Sequence, residues 1–172
     1  MYPVLMETAA QQTADPDSRQ LLRHVVATLA YRAGKTLRDA PDQFANFRAS
    51  ETSRTPSQIL AHMGDLMDWA LSIASGNQSW RNSEPLAWQA EVNRFFAALE
   101  SLDAYLASGE TVHAPFEKLF QGGIADALTH TGQLAMLRRM AACPMRGENY
   151  YVADIVAGRV GLTQSAPKRE FD

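Results

Sequence analysis

The 172-residue chain contains a single cysteine, Cys143, and no long run of apolar residues. One cysteine cannot form an intramolecular disulfide, and nothing else in the composition indicates an oxidising compartment. The stretch from Met1 to Gln12 lacks the basic region and the continuous apolar run of a secretory signal. No segment approaches the roughly 20 uninterrupted apolar residues of a membrane helix. We therefore expect a cytoplasmic protein that does not span a membrane.

Neither sign of charge dominates the chain, and the basic residues are scattered along it. The sequence has 16 Lys and Arg against 19 Asp and Glu, which gives a formal net charge of −3 and a pI near 5.8. Domains that bind nucleic acid usually carry a basic patch or stripe. We therefore expect no nucleic-acid partner.

Repeats, low-complexity tracts and long alternating patterns are also missing, which argues against a sheet. Instead, four segments place apolar residues three or four positions apart, the spacing of an amphipathic helix. These segments run from about Pro16 to Asp39, from Thr55 to Gly76, from Ser83 to Gly109, and from Gly123 to the residue before Cys143. With an apolar fraction of 46%, the pattern predicts one all-α domain over residues 1–172, built as a four-helix bundle.

The connections and the ends of the chain are long for a simple bundle. The loops before the second and fourth helices have about 15 and 14 residues, so we expect at least one connection to cross the end of the bundle. Residues 145–172 form a C-terminal extension, whose stretch from Arg146 to Tyr151 is expected to fold back over the mouth of the bundle. Residues 1–14 and 164–172 are expected to be loosely ordered.

Three polar side chains fall on apolar helix faces. His62 lies between Ile59 and Leu66, at offsets of three and four, so it shares the buried face of the second helix or its edge. Asp126 and His130 are four residues apart on the fourth helix and point the same way. Burying an imidazole or a carboxylate is costly unless the group is paired or coordinates an ion. One divalent metal ion bound by the three residues would remove that cost.

The type of ligand narrows the choice of metal only in part. Two imidazoles and one carboxylate form the ligand sets of catalytic zinc and of non-haem iron, and nickel and manganese remain candidates. The alternative is a site without metal. An Asp-x-x-x-His pair on one helix is often a hydrogen-bonded or solvated pair, and a lone histidine on an apolar stripe is more often a satisfied core residue than a ligand. Only the coincidence of both features on two helices favours a metal site.

Two stretches of the sequence resemble a known family. The run Pro-Ser-Gln-Ile-Leu-Ala-His-Met-Gly-Asp-Leu over residues 56–66 is similar to the second helix of the DinB/YfiT-like superfamily. The run Asp-Ala-Leu-Thr-His-Thr-Gly-Gln-Leu-Ala-Met-Leu-Arg-Arg over residues 126–139 is similar to its fourth helix. The family pattern is a His on helix two, then His-x-x-x-His followed by Gly-Gln on helix four. His62 and His130 match the outer positions, and Asp126 replaces the middle His.

The resemblance implies a four-helix bundle with one divalent metal ion at His62, Asp126 and His130, often assembled as a homodimer. Characterised relatives include metal-dependent thiol transferases and a thiol-dependent isomerase, so the resemblance also implies a small-molecule substrate or a thiol cofactor. The aspartate makes the site harder and more anionic than the family pattern. The resemblance covers the second and fourth helices well and the rest of the chain only through the order of the helices.

Several further residues bear on the site. Asp65 is predicted either to orient His62 as a hydrogen-bond acceptor or to be a solvated carboxylate. Trp69 is predicted either to line a pocket or to pack in the core. Gln133 continues the helix face that carries Asp126 and His130. His24, His113 and Cys143 are not expected to be ligands. Arg138 and Arg139 are predicted either to attract an anionic substrate or to interact favourably with the negative end of the helix dipole.

Two functions follow from these patterns. The first is a metal-dependent transferase or hydrolase that acts on a small molecule, with a metal-bound water or thiol as its nucleophile. The second is a non-catalytic helical bundle that binds a ligand or a partner, in which the three polar residues form a structural hydrogen-bonded cluster. No second acid or base is identifiable from the sequence.

Overall fold

Helices account for most of residues 16–171, the part of the chain that the computed structural model describes. The long helices are α1 (Pro16–Leu37), α2 (Pro56–Ala74), α3 (Trp88–Ala107) and α5 (Ala125–Met140). A short helix α4 (Phe116–Leu119) and a π-helical turn (Phe120–Ile124) lead directly into α5, and 3₁₀ turns lie at Asp42–Asn46 and Tyr150–Val152. Two strands of two residues each, β1 (Gly147–Glu148) and β2 (Glu170–Phe171), pair antiparallel. The expected all-α class is confirmed.

The start of α2 is fixed by the capping box that the sequence predicts. The backbone N–H of Gln58 donates to Thr55 Oγ1 at 3.2 Å, and the backbone N–H of Thr55 donates to Gln58 Oε1 at 2.9 Å. Two of the amides that a helix N-terminus leaves without partners are thereby satisfied. Beyond the other end, Gly76 takes a positive φ of 79°, which suits glycine and stops the helix.

The first helix begins at Pro16 as predicted, whereas the starts of the third and fourth helices are displaced. The third helix begins at Trp88 instead of Ser83, because Ser83 is bonded to Asp65 and the buried Glu91 accepts the N–H of Leu86 at 2.8 Å. The fourth begins before Gly123, since helical structure runs from Phe116 through the π turn.

The main contacts between long helices join α1 to α3 and α5, and α2 to the same two helices. Residues 38–55 thus connect two helices that pack mainly on α3 and α5 instead of on each other. The largest fully buried side chains are Tyr31, Phe44, Phe95, Phe96, Leu29, Leu60, Met63, Met67, Leu99, Leu102, Leu106 and Ile124. Within residues 16–171, no helix combines the length and the apolarity needed to cross a membrane.

The C-terminal segment folds back against α1, and its Gly161 also lies beside Glu100 of α3. Lys35, only 6% exposed, lies 3.3 Å from Glu148 Oε2 and also pairs with Glu170 of β2. Tyr31 donates its hydroxyl to Glu148 Oε1 at 2.7 Å, and its ring packs edge-on against Tyr150. A buried ammonium group requires carboxylate partners. The loose end predicted for residues 164–172 is therefore tied to α1 up to Phe171, whereas the loose end predicted for residues 1–14 lies outside the described residues.

Candidate metal centre

The close approach of α5 to α2 positions the site. The π turn contains one residue with non-helical angles, Gly122 (φ −81°, ψ −107°), and the next residue, Gly123, lies directly against α2. A Cβ atom at Gly123 would be only 2.8 Å from the carbonyl oxygen of Leu66. Glycine alone fits at this distance. The contact lies four residues from His62 on α2 and three residues from Asp126 on α5, so it brings these two side chains to the same level.

His62, Asp126 and His130 meet where α2 and α5 face each other. Asp126 Oδ2 lies 3.5 Å from Nε2 of His62, and Oδ1 lies 3.5 Å from Nε2 of His130. The two imidazole rings are nearly perpendicular, with centroids 5.0 Å apart. One ligand atom from each residue lies within 4.8 Å of the other two. The structure thus brings together the three residues that the sequence singles out.

The ligand atoms of the three residues are close enough to one another to bind one ion. A separation of 3.5 Å exceeds the usual range of N–H···O hydrogen bonds, whose modal distance is about 2.9–3.0 Å. The two 3.5 Å distances start from different oxygens of Asp126, one facing each imidazole. The His62–Asp126–His130 group is therefore one that could hold a metal ion.

The environment of His62 favours its neutral form. Burial lowers the pKa of His62, and the adjacent His130 and the positive charge of Arg54 lower this pKa further, while Asp126 opposes the shift. The side chains of His62 and His130 are 22% and 12% exposed, whereas that of Asp126 is 46% exposed. Only a neutral imidazole can bind a metal. The site therefore keeps His62 competent to bind at neutral pH and opens to solvent on the Asp126 side.

Gln133 orients the second imidazole. Its Oε1 lies 2.7 Å from Nδ1 of His130. An amide oxygen only accepts hydrogen bonds, so Gln133 can hold the proton of Nδ1 and leave Nε2, on the Asp126 side, as the ligand atom. Metal-binding histidines usually donate their other N–H to a fixed acceptor in this way.

Asp65, in contrast, belongs to a separate buried network. Its side chain is 3% exposed and accepts from the N–H and the hydroxyl of Ser83, at 2.8 and 2.7 Å, and from Arg94 at 2.9 Å. Burial alone would raise the pKa of Asp65, but the bonds from Ser83 and Arg94 outweigh it and lower this pKa. Both predictions for Asp65 are wrong: its partners among residues 16–171 do not include His62, and it is not solvated. At three positions from His62, it turns towards α3.

Two tryptophans line one side of the site, and only one was predicted. Trp69 packs edge-on against Trp80, with centroids 5.9 Å apart, and Trp80 packs edge-on against His62 at 5.7 Å. Trp80 lies in the loop between α2 and α3 and is 45% exposed. Helical periodicity gives no indication of Trp80; the only signal in the sequence is a tryptophan among Gly, Asn and Ser residues shortly after a candidate ligand helix.

The remaining candidates lie elsewhere. His113 packs against Gly76 beyond the end of α2, and His24 is on the exposed face of α1. Arg138 is buried and donates to the carbonyls of Thr36 and Arg38 at the end of α1, at 2.9 and 2.6 Å. It therefore caps the C-terminal end of α1, and its guanidinium is bonded inside the fold.

The chain matches no family model, no curated protein and no solved structure. A proposal about function consequently depends on the geometry above and on the sequence pattern.

Proposed function

We propose that this chain is a divalent-metal-binding four-helix bundle of the DinB/YfiT-like type, which acts on a small molecule as a metal-dependent transferase or hydrolase. The observation that supports it best is the pair of 3.5 Å distances from the carboxylate of Asp126 to two imidazoles on facing helices. His62, Asp126 and His130 would hold the ion. A protein ligand set of three leaves positions open for water or substrate, as in catalytic zinc sites.

The chain's own residues supply the conditions for such chemistry. A divalent ion bound at this site would lower the pKa of a coordinated water or thiol towards neutrality. Gln133 fixes the imidazole of His130, and Trp80 shields one side of His62 from water. The half-exposed carboxylate of Asp126 marks the open side, through which a small substrate would enter. Zinc suits the ligand set and the spacing, and iron, nickel and manganese are the other candidates.

Metal analysis of the purified protein tests the proposal. We expect about one equivalent of divalent metal per chain after reconstitution, and its loss in His62→Ala. His24→Ala is the matched control, because His24 is an exposed histidine of α1, outside the cluster. Absence of metal in both the native and the reconstituted protein would contradict the proposal.

A specific observation also favours a second function. The carboxylate of Asp126 lies at the same distance from both imidazoles, so the three residues form a compact polar cluster even without an ion. In that case the chain is a non-catalytic bundle that binds a ligand or a partner. Melting with and without a chelator separates the two functions, since a metal at 100 times its Kd stabilises the folded state by about 2.7 kcal/mol. An unchanged Tm would favour the second function.

The resemblance also suggests an assembly and a location. We propose a cytoplasmic homodimer that takes a small-molecule substrate or a thiol cofactor. Light scattering at several protein concentrations tests the dimer, and metal-dependent transfer of a small thiol to an electrophilic acceptor tests the thiol.

A further inference from the structure

An open groove of about 260 Å³ lies beside the metal site. It runs between the start of α2, the loop before it and the second half of α5. Its lining residues are mainly apolar: Ala49, Ser53, Arg54, Ile59, Gln133, Met136, Leu137 and Met140. Gln133 both lines the groove and bonds His130, so the groove and the His62–Asp126–His130 group share a wall.

The apolar part of the groove has a buried floor and exposed sides. Ile59 and Leu137 are 4% and 8% exposed, whereas Met136 and Met140, one turn apart on α5, are 58% and 54% exposed. The apolar surface of these two methionines stays in contact with water unless a ligand covers it. Methionine side chains are flexible and polarisable, and they adapt to apolar ligands of varied shape.

Arg54 supplies the polar end of the groove. It is exposed, and its guanidinium forms no salt bridge with any carboxylate of residues 16–171. It lines the same groove as Gln133, which bonds His130 of the cluster. Arginine recognises carboxylates through paired N–H donors. The groove thus combines an apolar surface with a cation that has no protein counter-ion.

We propose that this groove binds a small carboxylate-bearing molecule, with its apolar body on Ile59, Met136 and Met140 and its carboxylate on Arg54. The assignment rests on the proposed function to the extent that the bound molecule is the substrate of the adjacent metal site. The volume of the groove lies slightly below the usual range of about 300–1,000 Å³ for binding pockets, so it suits a small ligand.

A small molecule fits these observations better than a second copy of the chain does. Specific protein interfaces bury about 800 Å² and about 20–30 residues on each partner, whereas this groove is a small concavity. Its position beside a candidate catalytic group also favours a substrate. If the face instead joins two copies, substitutions in the groove will change the oligomeric state, and that outcome would overturn the proposal.

Three probes separate the two parts of the recognition: octanoate, octanol and acetate. Binding is measured by calorimetry and by amide chemical shifts on the full chain, first with chelator and then with metal added. We expect octanoate to bind more tightly than octanol and far more tightly than acetate. In Arg54→Gln, octanoate binding should weaken about fivefold, the size expected for an exposed ion pair, while octanol binding stays unchanged. Met136→Gln should weaken octanoate and octanol equally.

Arg139→Gln is the matched control, because Arg139 is an exposed arginine of α5 that does not line the groove. Equal affinity for octanoate and octanol, or unchanged octanoate binding in Arg54→Gln, would overturn the carboxylate assignment. Failure of both eight-carbon probes to bind would overturn the proposal that the groove is a binding site. The metal content of the same samples is measured separately. Octanoate binding with no metal in any sample would therefore contradict the metal-dependent function and leave the ligand class standing.

Discussion

The contact between Gly123 and α2 gives the sharpest test of how the fold builds the site. In Gly123→Ala, the new methyl group would lie 2.8 Å from the carbonyl oxygen of Leu66, whereas ordinary contact begins near 3.4 Å. The π turn that leads into α5 must therefore move away from α2 by about 0.6 Å, the difference between these distances. Overpacking of this kind typically costs about 1–3 kcal/mol of unfolding free energy.

Gly132→Ala is the matched control on the same helical segment. A methyl group at Gly132 meets no atom within 4 Å, so this variant gains only the helix propensity of alanine, about 1 kcal/mol. Gly123→Ala gains a similar amount, and the difference between the variants isolates the clash. We expect the unfolding free energy of Gly123→Ala to be about 1–3 kcal/mol lower than that of Gly132→Ala. This difference corresponds to a Tm that is lower by roughly 3–9 °C.

The same pair of variants tests the metal site. Metal–ligand distances in proteins vary by only about 0.2 Å, so a shift of α5 should weaken metal binding in Gly123→Ala. Gly132→Ala should bind metal like the unmodified chain. Stability is measured by denaturant unfolding with chelator, and affinity by competition with a chromophoric chelator. Equal stability of the two variants would refute the argument that this glycine sets the approach of α5 to α2.

Three further outcomes are expected. Asp65→Asn should lower the unfolding free energy by about 1.5–3 kcal/mol, because it removes one of the two buried carboxylates that bond Arg94 and leaves only Glu91. Metal affinity should not change; a loss of affinity would show that Asp65 does act on the site. Gln133→Leu should weaken metal binding about tenfold with little change in stability, since it removes only the acceptor that orients His130; unchanged affinity would exclude that role. With chelator present, the unfolding free energy should fall as pH drops below about 6.5, because the lowered pKa of His62 makes the unfolded state bind more protons than the folded state. The slope of unfolding free energy against pH should be smaller in His62→Gln. Equal slopes for the two proteins would show that His62 titrates normally.

Local spacing explains why the sequence was a good guide to the helices. The capping box at Thr55 and the stop at Gly76 depend on residues within one turn of each other, and both occur in the structure. The start of α3 does not depend on neighbours alone. Ser83 suits a helix cap in isolation, but Asp65, 18 residues earlier, takes both of its donors. A cap can be predicted only when no distant partner competes for it.

The residues around the candidate site also divide into those whose position follows from local spacing and those whose position depends on distant partners. The pair Asp126 and His130 lies on one helix, so its common direction follows from a spacing of four. Asp65 was misjudged because its partner Arg94 is 29 residues away on another helix. Trp80 was missed because a loop has no periodicity that would indicate which way its side chains point.

The sequence by itself determined the helical class, the extent of α2, and the identity of His62, Asp126 and His130 as the residues of interest. Those properties depend on periodicity and on chemistry within a few turns of one helix. Only the tertiary structure decided that the three side chains meet, that together they could hold one ion, and that a groove with Arg54 lies beside them. These depend on how closely two helices approach, and that distance is set by the atoms in contact between them, above all the missing side chain of Gly123.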